Sequence, residues 1–121
     1  MLPHHSLVAW QRADDLFIRL HRLSVGLPTL ERYELGSQLR RSAFSVPVNI
    51  VEGLAQSGPR EKRRFLRVAR ASLAEVGYCL HAARRLNYID EAEYSELELE
   101  VRKVAAPLRG LIKSLGSTNP K

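Results

Sequence analysis

Cysteine is almost absent from this chain of 121 residues, in which Cys79 is the only one. A single thiol cannot form an internal disulfide or supply the several thiolates of a structural zinc site, so both are excluded as sources of stability. No run of about 18 apolar residues occurs, which excludes an ordinary membrane-spanning helix. The first residues lack a basic stretch followed by an apolar one, so we expect no secretion signal and a cytoplasmic protein.

The common catalytic and metal-binding patterns are also missing. No histidine follows a glutamate by three residues, which is the spacing used by carboxylate-metal sites in helical bundles, and no glycine-rich phosphate loop occurs. Cys79 falls on the apolar side of its predicted helix, where a core position is favoured over a nucleophile that needs a neighbouring base. We therefore predict a non-enzymatic protein with no catalytic residue, no metal and no cofactor.

Arginine is plentiful, and its distribution is uneven. The chain has 15 arginines and 4 lysines, and its formal net charge is +6. Residues 39–85 have ten basic and three acidic side chains, so the whole excess lies in the middle third. The planar guanidinium group suits phosphate, which favours a polyanionic partner; the arginine-rich codons of a GC-rich genome are the alternative explanation.

Apolar residues recur at spacings of three and four in four segments, and nothing alternates with period two for long enough to form a sheet. Pro47 falls inside the second segment, where it predicts a kink, and Asp90 is the predicted N-cap of the fourth. Short loops between amphipathic helices favour a single all-α domain, an up-down-up-down four-helix bundle. The predicted helices span about residues 6–25, 30–54, 59–87 and 90–115.

The third predicted helix has an arginine face opposite its apolar face. Clustered arginines can follow a phosphate backbone, and Tyr78 and His81 on the same side could stack on bases. An ordinary solvated helix face is the alternative interpretation. The candidate nucleic-acid-binding residues are Arg60, Arg63, Arg64, Arg67, Arg70 and Arg85.

Polar residues also line the margin of the apolar stripe on the second predicted helix. Buried polar groups must find partners, so we expect these residues to bond to one another, to a neighbouring helix or to another subunit. Glu75 on the third helix is a candidate partner for Arg40 or Arg41. We interpret the group as a structural network rather than a catalytic one, and it comprises Gln38, Arg41, Ser45, Asn49, Glu52 and Glu75.

Three segments resemble one known family. Residues 38–53 read QLRRSAFSVPVNIVEG, similar to the family pattern Gln-x-Arg-Arg-Ala-x-x-Ser-Ile-x-x-Asn-Ile-Ala-Glu-Gly. Residues 8–11 (VAWQ) and 65–75 (FLRVARASLAE) resemble two further family segments, Val-Trp-Gln and Phe-Leu-x-Ile-Ala-x-Gly-Ser-x-x-Glu. The family is that of small four-helix bundles encoded by intervening sequences of bacterial 23S ribosomal RNA genes. The chain departs from its pattern at Ser42, Val51 and Ala71.

The resemblance implies a homopentamer. It also implies kinship with the accessory protein of diversity-generating retroelements, a basic pentamer that binds nucleic acid and a reverse transcriptase. Two hypotheses follow: an oligomer that binds RNA or DNA through the arginine face, and a scaffold that docks a larger protein such as a reverse transcriptase. Apolar residues off the main stripes give modest independent support for subunit contacts; they are Leu7, Val8, Ile18, Phe44 and Leu99.

Overall fold

A computed structural model describes residues 7–116, which form four long helices and one short one, with no strand in that range. The four long helices pack in the cyclic order α1, α3, α4, α5 and back to α1, with the most extensive contact between α3 and α4. This arrangement confirms the predicted all-α four-helix bundle. The helices are α1 (Val8–Val25), α2 (Thr29–Arg32), α3 (Leu35–Leu54), α4 (Pro59–Arg85) and α5 (Glu91–Ser114).

The second predicted helix, 30–54, is divided in the structure. Tyr33 and Glu34 form a turn between α2 and α3, and Glu34 has non-helical angles, φ −108° and ψ −92°. The Arg40 guanidinium bonds the carbonyl of Arg32 at 3.1 Å and the Ser24 hydroxyl at 3.1 Å, which holds α2 and the end of α1 against α3. Pro47 lies inside α3, a single helix. Ser6, the first residue of the first predicted helix, lies outside the described residues.

The apolar stripes predicted from spacing meet in one core. Gly53 allows α3 to lie close to α4, because a Cβ there would lie 3.1 Å from the Cβ of Phe65. Among described side chains, the largest that are fully buried are aliphatic apart from Ser24, so packing rather than polar pairing holds the helices together. The large aliphatic ones are Leu20, Leu39, Val46, Ile50, Leu66, Val76, Leu80, Leu97, Val104 and Leu108.

Basic side chains of the first turns of α4 hold the C-terminal ends of two other helices. Lys62 donates from Nζ to the carbonyl of Leu54 at the end of α3, at 3.0 Å. Arg63 donates from Nη1 to the carbonyl of Leu115 just after α5, at 2.5 Å. A helix C-terminus has a partial negative charge. Lys62 compensates this charge at the end of α3, and Arg63 does so at the end of α5. The end of the bundle where α4 begins is therefore also where α3 and α5 finish.

Candidate nucleic-acid interface

The first half of α4 presents a row of exposed arginines. Arg60, Arg64, Arg67 and Arg70 are all exposed, at spacings of three and four that place them along one side of the helix. Arg64 pairs with Glu61 at 3.0 Å between Nε and Oε1, which neutralises part of its charge. The other three have no acidic partner among the described residues, so their charge remains available to an external anion.

Arg63 does not belong to this surface. Its side chain was predicted to face outward with the other arginines, but it is 5% exposed and its guanidinium is committed to the Leu115 carbonyl. The physical reason is its position on the edge of α4 that faces α5, where the chain end of α5 needs a donor. Arg63 is therefore a structural cation, and its Nε has no hydrogen-bond partner in the described structure.

Arg85 is exposed but stands apart from the other arginines. It lies 15 residues beyond Arg70 along α4, about 22 Å at the helical rise. Tyr78 and His81 lie between them; their rings are 5.9 Å apart, and Tyr78 is 69% exposed. The predicted arginine face is thus one dense cluster in the first three turns of α4 and a single arginine at the opposite end, separated by an aromatic pair.

The structure adds two cations that sequence reasoning missed, Arg109 and Lys113 of α5. Both are exposed, have no acidic partner among the described residues, and line the same surface depression as Arg70. Segregation of charge within α5 was the available signal. Its first ten residues contain five glutamates, whereas its later residues have basic side chains and no acidic ones. Because α5 follows α4 through a short loop and runs back along it, the basic half of α5 lies beside the basic half of α4.

Most of the glutamates of α5 are engaged away from this cluster. Glu96 pairs with Arg19 of α1, and Glu91 pairs with Arg84 at 3.1 Å. Two pairs lie within α5 itself, Glu98 with Arg102 at 3.2 Å and Glu100 with Lys103 at 3.8 Å. The bundle is therefore electrostatically polarised: acidic groups pair with cations along the first half of α5, and unpaired cations collect where α4 begins and α5 ends.

The predicted polar network exists in part. Arg41 bonds the Gln38 side chain at 3.0 Å, and Ser45 shares a hydrogen bond of 2.7 Å with the Ser72 hydroxyl of α4. Asn49 donates to both the carbonyl and the hydroxyl of Ser45. The Ser45–Ser72 bond joins α3 to α4, and the other bonds hold polar side chains in place along α3. Both roles are structural.

Two acidic members stay outside that network. The side chains of Glu52 and Glu75 are exposed and have no ion pair or hydrogen bond within the described range. Glu75 was a candidate partner for Arg40 or Arg41, but it pairs with neither. Arg40 bonds Ser24 instead, and Arg41 bonds Gln38.

Cys79 is buried in the core, as its place on the apolar side of α4 predicted. Burial raises the pKa of its thiol, the Glu75 carboxylate raises this pKa further, and a hydrogen bond with Ser42 opposes the rise. A raised pKa disfavours the reactive thiolate. Within residues 7–116, no group of three or more histidine, cysteine or acidic side chains has an arrangement that could hold a metal ion.

A second exposed surface is apolar and lies between α1 and α3. Phe44 is 53% exposed and packs edge-to-face on Phe17, with ring centroids 5.4 Å apart. A shallow groove of about 210 Å³ runs beside this pair, lined also by Trp10, Pro47 and Val51. Exposed aromatic rings over an apolar groove are typical of a protein-contact surface.

Comparisons with known proteins agree with this fold. Residues 5–110 match the model of a family described as 23S rRNA-intervening sequence protein. A crystal structure of a protein of unknown function from the S23 ribosomal protein family of Bacteroides thetaiotaomicron superposes with a TM-score of 0.79. The two chains are 20% identical, and the alignment covers 88% of this chain and 99% of the other. No curated protein matches the chain. No helix in the described part of the chain is both long and apolar enough to cross a membrane.

Proposed function

We propose that this chain, which belongs to the 23S rRNA-intervening sequence protein family, has a non-enzymatic role: it binds nucleic acid through the basic end of the bundle. RNA is the nucleic acid to test first. The observation that supports the proposal is the concentration of unpaired, exposed cations at that end. We name this surface the basic end and define it by Arg60, Arg67, Arg70, Arg109 and Lys113.

Counterion release gives these residues their expected energetic role. A protein cation that neutralises a phosphate frees a condensed counterion, so affinity falls as salt rises. On single-stranded nucleic acid, the logarithm of the association constant falls against the logarithm of the salt concentration with a slope of about −0.7 per contact. Five contacts predict a slope near −3.5 for one protomer. Backbone contacts of this kind carry no sequence information, so sequence-tolerant binding is expected. The same proposal implies a cytoplasmic location, where RNA is available.

Charge reversal at two arginines tests the proposal. Arg60 and Arg67 are exposed, unpaired and two turns apart on α4, so replacing both with glutamate should leave the core intact. We expect Arg60→Glu/Arg67→Glu to abolish binding to a fluorescein-labelled uridine oligonucleotide of about 30 residues, measured by anisotropy at about 50 mM salt.

The matched control reverses two exposed arginines elsewhere. Arg22→Glu/Arg102→Glu changes the net charge equally but lies on α1 and at the middle of α5. This variant should retain most of the affinity. Equal loss in both double variants would reduce the effect to net charge, and no binding by the unmodified protein at low salt would end the proposal.

The second candidate function is a scaffold, an oligomer that docks a larger protein, and the apolar groove between α1 and α3 supports its subunit contacts. We propose that a second copy of the chain covers it, giving a homo-oligomer for which the family resemblance implies five subunits. Phe44 is 53% exposed and stands at this groove, so its burial against another subunit would release apolar surface from water.

Light scattering coupled to size-exclusion chromatography tests this candidate. The unmodified protein should elute as an oligomer, and Phe44→Asp should shift it to the monomer. Leu86→Asp, which places the same charge on an exposed apolar residue just after α4, should not. A monomer at all concentrations would contradict self-association. A larger protein retained on the bundle after Arg60→Glu/Arg67→Glu would instead favour a scaffold for a different partner.

A further inference from the structure

The outer groove between α4 and α5 contains a cationic depression that the sequence did not predict. It has a volume of about 470 Å³ and is lined by Arg70 of α4 and by five residues of α5, namely Ala106, Arg109, Gly110, Ile112 and Lys113. Three of its six lining residues are cations, and none is acidic. Their ammonium and guanidinium groups stand around a floor made of small and apolar residues.

We propose that this depression seats one or two backbone phosphates of a bound nucleic acid strand, with Arg70 on one wall and Arg109 and Lys113 on the other. The inference deepens the proposed function and rests on it. Arginine can bind a phosphate through two parallel N–H donors, and lysine acts on it as a point charge. Cations approaching from two different helices can contact one phosphate from both sides, which the single row on α4 cannot do.

Gly110 makes the floor of the depression accessible. A Cβ placed there would have no heavy atom within 4 Å, so the space above this residue is open. The site is a surface depression without buried donors, and the exposed Arg67 precedes its lining residue Arg70 by three residues on α4. These features favour a phosphate that is part of a chain running along the bundle over a free phosphate ion held in a closed pocket.

Two double variants of α5, each of which removes two positive charges, distinguish a specific phosphate site from a general attraction between a positive protein and a polyanion. Arg109→Gln/Lys113→Gln removes two cations of the depression, whereas Arg102→Gln/Lys103→Gln removes two cations from the preceding turns of the same helix, where they pair with Glu98 and Glu100. If each lost cation removes one phosphate contact, affinity for the uridine oligonucleotide at about 100 mM salt should fall about 25-fold in the first variant. The second variant should stay within about threefold of the unmodified protein.

A second pair of variants tests the same space without removing any cation. Gly110→Glu should fill the depression with a carboxylate and weaken binding at least as much as the double glutamine variant. Gly77→Glu is its control, because a Cβ at Gly77 also meets nothing within 4 Å and this residue lies in the groove between α4 and α5 away from the basic end. Circular dichroism should show both variants folded, since glycine is the poorer helix former.

Each result is decisive. Equal weakening by Gly110→Glu and Gly77→Glu, or by the two glutamine pairs, would overturn the phosphate seat while leaving nucleic-acid binding in place. Failure of the unmodified protein to bind the oligonucleotide would overturn both. Inorganic phosphate, added at the ionic strength of the chloride it replaces, should displace no more oligonucleotide than chloride does. Stronger displacement would contradict the assignment to a backbone phosphate.

Discussion

Arg63 and Arg67 lie one turn apart on α4, and we expect removal of their charge to have different effects. It should lower stability at Arg63 and RNA affinity at Arg67. Arg63 is 5% exposed and bonds the Leu115 carbonyl, whereas Arg67 is exposed and unpaired within residues 7–116. Methionine preserves an apolar stem of similar length at either position. Arg63→Met should therefore lower stability and leave the basic end intact, and Arg67→Met should weaken RNA binding and leave stability unchanged.

The magnitude follows from the bond that Arg63 makes. A hydrogen bond from a charged donor contributes about 1.5–3 kcal/mol, and compensation of a helix C-terminus adds to it. Removal of the unpaired Nε and access of water to the freed carbonyl offset part of this loss. We expect a decrease of about 2 kcal/mol in the free energy of unfolding, which for a chain of this size lowers the melting temperature by about 8 °C.

Thermal unfolding followed by circular dichroism at the helical band measures this shift. Arg67→Met should melt within about 2 °C of the unmodified protein, because exposed substitutions without partners usually change stability by less than about 0.5 kcal/mol. The reasoning would be refuted if Arg63→Met melted with the unmodified protein, or if it lost RNA affinity as strongly as Arg67→Met.

Two further substitutions test the packing of α4. Gly53→Ala should lower the free energy of unfolding, measured by chemical denaturation, by about 1 kcal/mol because its Cβ would crowd Phe65. Gly77→Ala has open space above it and should raise the free energy of unfolding by about 0.5–1 kcal/mol. A change of the same sign in both variants would contradict the close approach of α3 to α4. The Cys79 thiol should react with a disulfide reagent far more slowly in the native than in the denatured protein, since its pKa is raised by burial. Because the pKa of this thiol is higher in the folded than in the unfolded protein, the unfolded state loses the thiol proton first as pH rises, and the folded state is then disfavoured. From about pH 8.5, the pKa of an unfolded thiol, the protein should therefore lose stability relative to Cys79→Ala.

The bundle could be predicted from spacing because apolar periodicity has a direct physical consequence. Each stripe must be buried, and four stripes joined by short loops bury one another. The predicted cap at Asp90 is present, with its carboxylate accepting from the Glu93 amide at 2.8 Å, because capping depends only on neighbouring residues. The division between α2 and α3 was missed because it depends on Arg40 reaching Arg32 and Ser24, a tertiary contact.

The candidate site was predictable only as far as one helix determines it. The exposed side of Arg60, Arg67 and Arg70 follows from their angle around α4. Arg63 lies inside the same arc, about 20° from Arg70 around the helix. Its burial therefore does not follow from its angle and depends on where the end of α5 falls. Arg109 and Lys113 required the antiparallel pairing of two helices, although the separation of acidic from basic residues along α5 already indicated which end they would join.

The affinity of the unmodified protein for the labelled uridine oligonucleotide, measured between about 50 and about 200 mM salt, tests the central claim most directly. Five cations at the basic end predict a fall of roughly 100-fold per protomer over this range. Affinity that does not change with salt, or no binding at the lowest salt, would contradict a phosphate-binding role for the end of the bundle where α4 begins and α5 finishes.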